Sequence, residues 1–222
     1  WAVLSGLPSK EQAITAFDSV REYLATELGI VIHYPAADFF DPERKGYIPF
    51  PPGSRENGGI FFHANTWAII AETMLGRNDY AFEYYRNMLP GKRNEIADLC
   101  RVEPYVYCQN MLGKEHPRFG AGYNSWLSGT AAWIFFAASQ YIMGIRPDYD
   151  GLIIDPCIPS EWEYADVERE FRGVRFTISI KNKSGRAERV SKLIVDGDVI
   201  EGNKIHVDYF RNKKSVYVIA EI

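Results

Sequence analysis

Cysteine is scarce in this chain of 222 residues: Cys100, Cys108 and Cys157 make an odd count without Cys-x-x-Cys spacing. That excludes a disulfide framework and a cysteine-built zinc site, and it fits a reducing cytoplasm. Excess positive charge is missing as well. With 25 Lys and Arg against 29 Asp and Glu, the formal net charge is -4, which leaves no basic stripe for nucleic acid. Long hydrophobic runs are absent: the longest, around 134–138, falls far short of the ~20 residues of a membrane span. There is no internal repeat and no low-complexity tract. No leader is visible, but the chain opens on Trp1-Ala2-Val3-Leu4 without an initiator methionine, so that absence is uninformative. The expectation is a soluble, cytoplasmic protein of one large domain or two small ones.

The richest stretch is Arg55-Glu56-Asn57-Gly58-Gly59-Ile60-Phe61-Phe62-His63. Two charged groups and an imidazole flank a Gly-Gly turn, where the backbone can take positive φ or approach a ligand closely, before an apolar helix. Asn124-Ser125-Trp126-Leu127-Ser128-Gly129-Thr130 repeats the pattern with hydroxyls and a glycine ahead of a second apolar helix. Helix starts of this kind bind anions.

Periodicity predicts a helix over 9–28 with Ser9 as N-cap, another over 64–75 stopped by Gly76, and a third from Asn78 to Met88 stopped by Pro90-Gly91. Between them, 31–59 is irregular, with seven prolines or glycines from Pro35 to Gly53. Residues 104–111 are open between helix start and strand, and 128–143 reads as a helix ending at Gly144. Then the period changes to two: Val174, Phe176, Ile178 and Ile180 alternate with polar residues, Asp196-Gly197 signals a hairpin, and 215–222 closes as a strand. The chain is thus expected to be helical to about 145 and β from about 152.

Four blocks, at 51–63, 103–107, 124–133 and 144–152, resemble in order and spacing the C-terminal part of the inverting disaccharide phosphorylases typified by cellobiose and chitobiose phosphorylase. The resemblance implies α then β: residues 1–145 as the last helices of an (α/α)6 barrel catalytic domain, and 146–222 as a β-sandwich-like, jelly-roll type domain. It also implies a cytoplasmic homodimer. The implied reaction, of glycosyltransferase type, is phosphorolysis of a β-linked gluco- or N-acetylgluco-disaccharide. Inorganic phosphate attacks the anomeric carbon with inversion, giving an α-sugar 1-phosphate and a free sugar. No metal or organic cofactor is implied; phosphate is the co-substrate.

By the same resemblance, His63, Ser128 and the Gly129 backbone N–H bind phosphate. Glu56 and Gln109 bind the transferred sugar, and Arg55 touches the acceptor. Arg55 stands where cellobiose-specific members carry lysine, and Phe50 where many carry tyrosine. The general acid, an aspartate in a Trp-Asn-Asp type motif, and a phosphate-contacting arginine are expected upstream, so no catalytic residue is assigned within the chain. The isolated chain is expected to be inactive and to need the upstream part of the same enzyme as its partner. A barrel hydrolase using water, or a non-catalytic carbohydrate-binding fragment, are the alternatives.

Taken alone, several of these residues have plainer readings. Arg55 and Glu56 resemble a solvated surface pair, and Gln109 is simply polar in a tyrosine-rich segment. Trp133 reads as packing, Trp126 as either core or sugar platform, and Asp98 with Glu103 as structural carboxylates. His33, His116 and His206 have no evident partners.

Overall fold

The computed structural model describes residues 1–37, 50–183 and 189–222; part of the irregular segment expected at 31–59 lies outside the described residues. Two compact units divide the chain, one comprising Trp1–Ala71 and Glu83–Phe135, the other Glu72–Phe82 and Phe136–Ile222.

In the first unit, helix α1 (Lys10–Ser19) opens on a capping box: Ser9 Oγ accepts the Gln12 N–H while the Gln12 side chain accepts the Ser9 N–H. The helix expected over 9–28 stops sooner. A π turn covers Val20–Leu24, and the chain then pairs with itself as β1 (Ala25–Thr26) and β2 (Gly29–Ile30). Thr26 is the reason. Its hydroxyl donates to the Gly29 carbonyl at 2.6 Å and accepts the Leu28 N–H at 3.2 Å, which gives the backbone a turn in place of further helix.

Strand β3 (Ile60–Phe61) runs directly into helix α2 (Phe62–Met74), and α3 (Asn78–Met88), a 3-10 stretch over Pro90–Ile96 and α4 (Ala97–Cys100) follow. Gly76, with φ +74°, ends α2 as expected: its N–H reaches the Thr73 carbonyl, and Arg77 N–H reaches Glu72, a Schellman arrangement. The segment left open at 104–111 forms strand β4 (Cys108–Met111). Strand β5 (Gly122–Ser125) leads to α5 (Thr130–Ala137), which continues as a π turn over Ala138–Ile142 and stops at Gly144, φ +70°. Among its described residues the region read as helical thus also carries five strands, each too short for alternation to show in the sequence. Buried Asn65 on α2 joins β2 to β3: its Oδ1 accepts the Ile30 N–H at 2.6 Å, and its Nδ2 donates to the Ile30 and Phe61 carbonyls.

The second unit is mostly sheet. Its strands are β6 (Ile145–Pro147), β7 (Gly151–Ile154), β8 (Tyr164–Phe171), β9 (Val174–Lys181), β10 (Lys192–Val195), β11 (Asp198–Ile200) and β12 (Lys204–His206). A short helix α6 (Val207–Phe210) precedes the last strand, β13 (Ser215–Glu221). They form sheets of order β11-β10-β13-β9-β8 and β12-β7-β6, with β9 and β13 parallel. Val174, Phe176, Ile178 and Ile180 are buried, as their alternation predicts. Asp196-Gly197 is the turn between β10 and β11, with both φ positive. Leu152, Ile154 and Ile205 from the smaller sheet share one apolar cluster with Phe176, Ile178 and Val218 from the larger.

Candidate functional site

The three-stranded sheet of order β3-β4-β5 builds the site. Both outer strands run antiparallel to β4, so they point the same way, and each delivers a helix: β3 into α2, and β5 through 126–129 into α5. One turn into each helix stands a tryptophan. Trp67 and Trp133 meet edge to face with centroids 5.8 Å apart, which sets the first turns of α2 and α5 side by side.

His63 lies in the first turn of α2, half-buried, its ring 5.4 Å from that of Trp67 and 5.9 Å from Phe61. Neither ring nitrogen has a hydrogen bond among the described residues. Ser128 stands two residues before the start of α5: its Oγ accepts the Thr130 N–H at 3.1 Å and is also hydrogen-bonded to the Thr130 hydroxyl. With Thr130 donating in that pair, the Ser128 proton remains free for an anion. Gly129 is exposed, and a Cβ placed there meets only Trp133 Cδ1, at 3.7 Å. Among the described residues, therefore, no neighbour requires a glycine at this position.

Gln109 lies on β4, one residue from Cys108, which faces Ser125, and from Asn110, which faces Phe61 and Tyr123. Its Oε1 accepts the Asn124 amide at 3.0 Å. The sheet thus joins His63, Gln109, Ser128 and Gly129. Arg55 and Glu56 stand elsewhere, on the turn that enters β3 from its other end, against Gly113 after β4. There a Cβ on Gly113 would fall 2.0 Å from the Gly58 carbonyl oxygen, and one on Gly59 would fall 2.6 Å from the Arg55 backbone. Gly58 has φ +84°. These contacts give the Gly-Gly turn its reason. The Arg55 guanidinium lies over the Phe50 ring, 5.1 Å from its centroid, and Glu56 is exposed, its carbonyl meeting His33 Nε2 at 3.0 Å.

Sequence reasoning passed over the asparagines that hold this frame. Asn57 is fully buried; its Oδ1 accepts the Ala37 N–H at 2.7 Å while its Nδ2 donates to the Ala37 and Phe50 carbonyls. Asn65 and Asn124 bond segments far away in sequence. Only the placement of Asn57 inside the glycine turn hinted at such a role. His116 is engaged locally, its Nδ1 accepting the Arg118 N–H, and His206 Nδ1 lies 3.2 Å from Asp208. A cavity of about 350 Å³ under α1, lined by Trp1, Phe17, Val20, Leu24 and Trp67 among others, contains none of the predicted site residues.

All three cysteines are free thiols. Burial pushes Cys108 and Cys157 up to about 12, and nearby Asp155 and Asp79 add to the effect on Cys157. Among the described residues no group of three or more His, Cys, Asp or Glu is placed to hold a metal ion, and no helix is long and apolar enough to cross a membrane.

Comparison with known proteins matches residues 1–144 to the glycosyl hydrolase 94 superfamily, catalytic domain. An N,N'-diacetylchitobiose phosphorylase of Vibrio furnissii is 38% identical over 202 residues, covering 90% of this chain and 25% of that protein. A solabiose phosphorylase of Paenibacillus borealis is 34% identical, covering 91% and 26%. A cellobionic acid phosphorylase of Neurospora crassa is 33% identical, covering 82% and 23%. The chain spans about a quarter of the length of these relatives. The family match across the unit that carries the paired helix starts, and the relatives' likeness over most of the chain, agree: this chain belongs to the glycosyl hydrolase 94 superfamily.

Proposed function

We propose that the whole protein is a disaccharide phosphorylase that cleaves a β-linked gluco- or N-acetylgluco-disaccharide with inversion. The observation that carries this reading is the pairing of two helix starts, one bearing His63, whose ring nitrogens have no hydrogen bond among the described residues, and the other bearing Ser128 and Gly129. Two first turns of N–H groups, a hydroxyl and an imidazole suit a tetrahedral anion. The relatives named as phosphorylases supply the reaction class.

In this reading phosphate lies between His63, Ser128 and the Gly129 N–H. A phosphate oxygen forms the new bond to the anomeric carbon as the glycosidic C–O bond breaks on the opposite face. The leaving oxygen takes a proton from a carboxylic acid that belongs to the upstream part of the enzyme. Phosphate is itself the nucleophilic anion, so neither a protein base nor a metal is needed. Gln109 and Glu56 bind hydroxyls of the transferred sugar, and Arg55, with the Phe50 ring beneath it, faces the acceptor. The two-residue strand β3 separates the Arg55 turn from the helix starts by roughly 7 Å, a span a disaccharide covers. The same proposal extends to an (α/α)6 barrel with a jelly-roll type domain, a homodimer and a cytoplasmic location.

Release of sugar 1-phosphate from β-linked disaccharides, with and without phosphate, tests the reaction; release of free sugars alone without phosphate would make the protein a hydrolase. His63→Ala should raise the KM for phosphate more than that for disaccharide. The reverse order would remove His63 from the phosphate site.

A further inference from the structure

Trp126 is 74% exposed and Tyr105 is 91% exposed, so neither belongs to the core of the described structure. Both have left-handed backbone, φ +70° and +68°, and Asn124 has φ +53°. For a bulky aromatic this conformation is a strained outlier, of the kind that clusters at ligand-binding sites. The two loops are tied together and braced. Trp126 Nε1–H donates to Glu103 Oε1 at 3.2 Å, and Arg93, 5% exposed, donates to the Val106 carbonyl at 2.9 Å from beneath. The Ser125 hydroxyl first, then the residue's own backbone N–H and last the Trp126 indole N–H, hold the Glu103 carboxyl below the usual carboxylate range, so it is an ionised acceptor. With its polar edge occupied, the indole offers a fixed apolar face.

That face lies within a run of residues placed in the proposed site: Asn124 holds Gln109, and Ser128 and Gly129 follow two and three residues on. We propose that Trp126 is a stacking platform for a gluco-configured pyranose ring of the disaccharide, with Glu103 as the residue that positions the indole. A β-gluco ring has its hydroxyls equatorial and its C–H bonds axial, so both of its faces are apolar and match an aromatic plane. This inference rests on the phosphorylase reading above.

The test uses the intact enzyme. Disaccharide affinity is measured by calorimetry without phosphate, and KM values for disaccharide and phosphate are measured separately. Trp126→Ala should weaken disaccharide binding about tenfold, the scale of one aromatic contact, and leave the phosphate KM unchanged. Trp126→Phe should restore most of the affinity. Glu103→Ala should weaken disaccharide binding in the wild-type background but add nothing to Trp126→Ala, as two residues acting through one contact must. Unchanged disaccharide affinity in Trp126→Ala overturns the proposal. So does an equal loss for phosphate and disaccharide, or a change in oligomeric state with sugar affinity intact, which would make the face a protein interface. If His63→Ala shifts the phosphate KM while Trp126→Ala shifts nothing, this inference fails alone; if no phosphate is consumed at all, the phosphorylase reading fails first.

Discussion

In the proposed phosphate site, Gly129 would offer its backbone N–H to the ligand, while the described residues leave room for a side chain there. Among the described residues an added Cβ there meets only Trp133 Cδ1, at 3.7 Å. Gly129→Ala should therefore change stability by less than about 0.5 kcal/mol while raising the phosphate KM; thermal unfolding and initial rates read the two separately. Gly113 is the opposite case, with the Gly58 carbonyl filling the space that any side chain would take. The cysteines give a second outcome at this scale. Cys108 and Cys157 are pushed up to about 12, so at pH 8 both are almost wholly protonated and poor nucleophiles. Alkylation of the native protein at pH 8 should be slow at both and fast after unfolding; rapid native labelling at either position would contradict the raised thiols. The family resemblance singled out His63, Gln109, Ser128 and Gly129; Gln109 lies on β4, and the other three follow the ends of its neighbours β3 and β5. Asn57, Asn65 and Asn124 were not legible, because an asparagine's partner is set by tertiary approach and leaves no spacing in the sequence.

At the level of elements, legibility followed length and local chemistry. The capping box at Ser9, the stop at Gly76 and the β9 alternation are properties of adjacent residues, and each can be read directly. β1, β2 and β3 have two residues each, too few to display a period, yet β3 is the strand that aims α2. Asn65 holds two of these strands. Asn65→Ala removes three hydrogen bonds and leaves the Ile30 N–H and carbonyl buried without their partner. The expected loss is about 3 kcal/mol, from unsatisfied groups at 1–3 kcal/mol each with partial relaxation. Chemical denaturation checks it; a loss under about 1 kcal/mol would mean that water replaces the amide.

For the molecule as a whole, acid sensitivity has a readable source in the second unit. Lys204 donates to Asp148 at 2.9 Å and to Asp150 at 2.8 Å. Lys204 holds both carboxyls below their ordinary value of 3.8, and Asp150 and Asp148 raise Lys204 above 10.5. A depressed carboxylate stabilises fully above 3.8 and stops doing so as pH falls through its folded value. A raised lysine stabilises fully below 10.5 and stops as pH climbs through its own. The difference in Tm between wild type and Lys204→Met should thus be level across neutral pH and close as pH drops below 3.8. A difference that persists at pH 2 would point to lost packing of the lysine stem instead. The boundary between the two units, after Ala71 and Phe135 with Glu72–Phe82 in the second, had no sequence signature, because it falls inside continuous helices.

Asn57 bonds Ala37 on one side and Phe50 on the other, so one amide pins both ends of the twelve positions between them. Loss of that one side chain would therefore release two separated stretches of backbone together, and with them the footing of the turn that bears Arg55 and Glu56. A single amide works as a clasp, so the position of two charged side chains hangs on a residue that carries no charge itself.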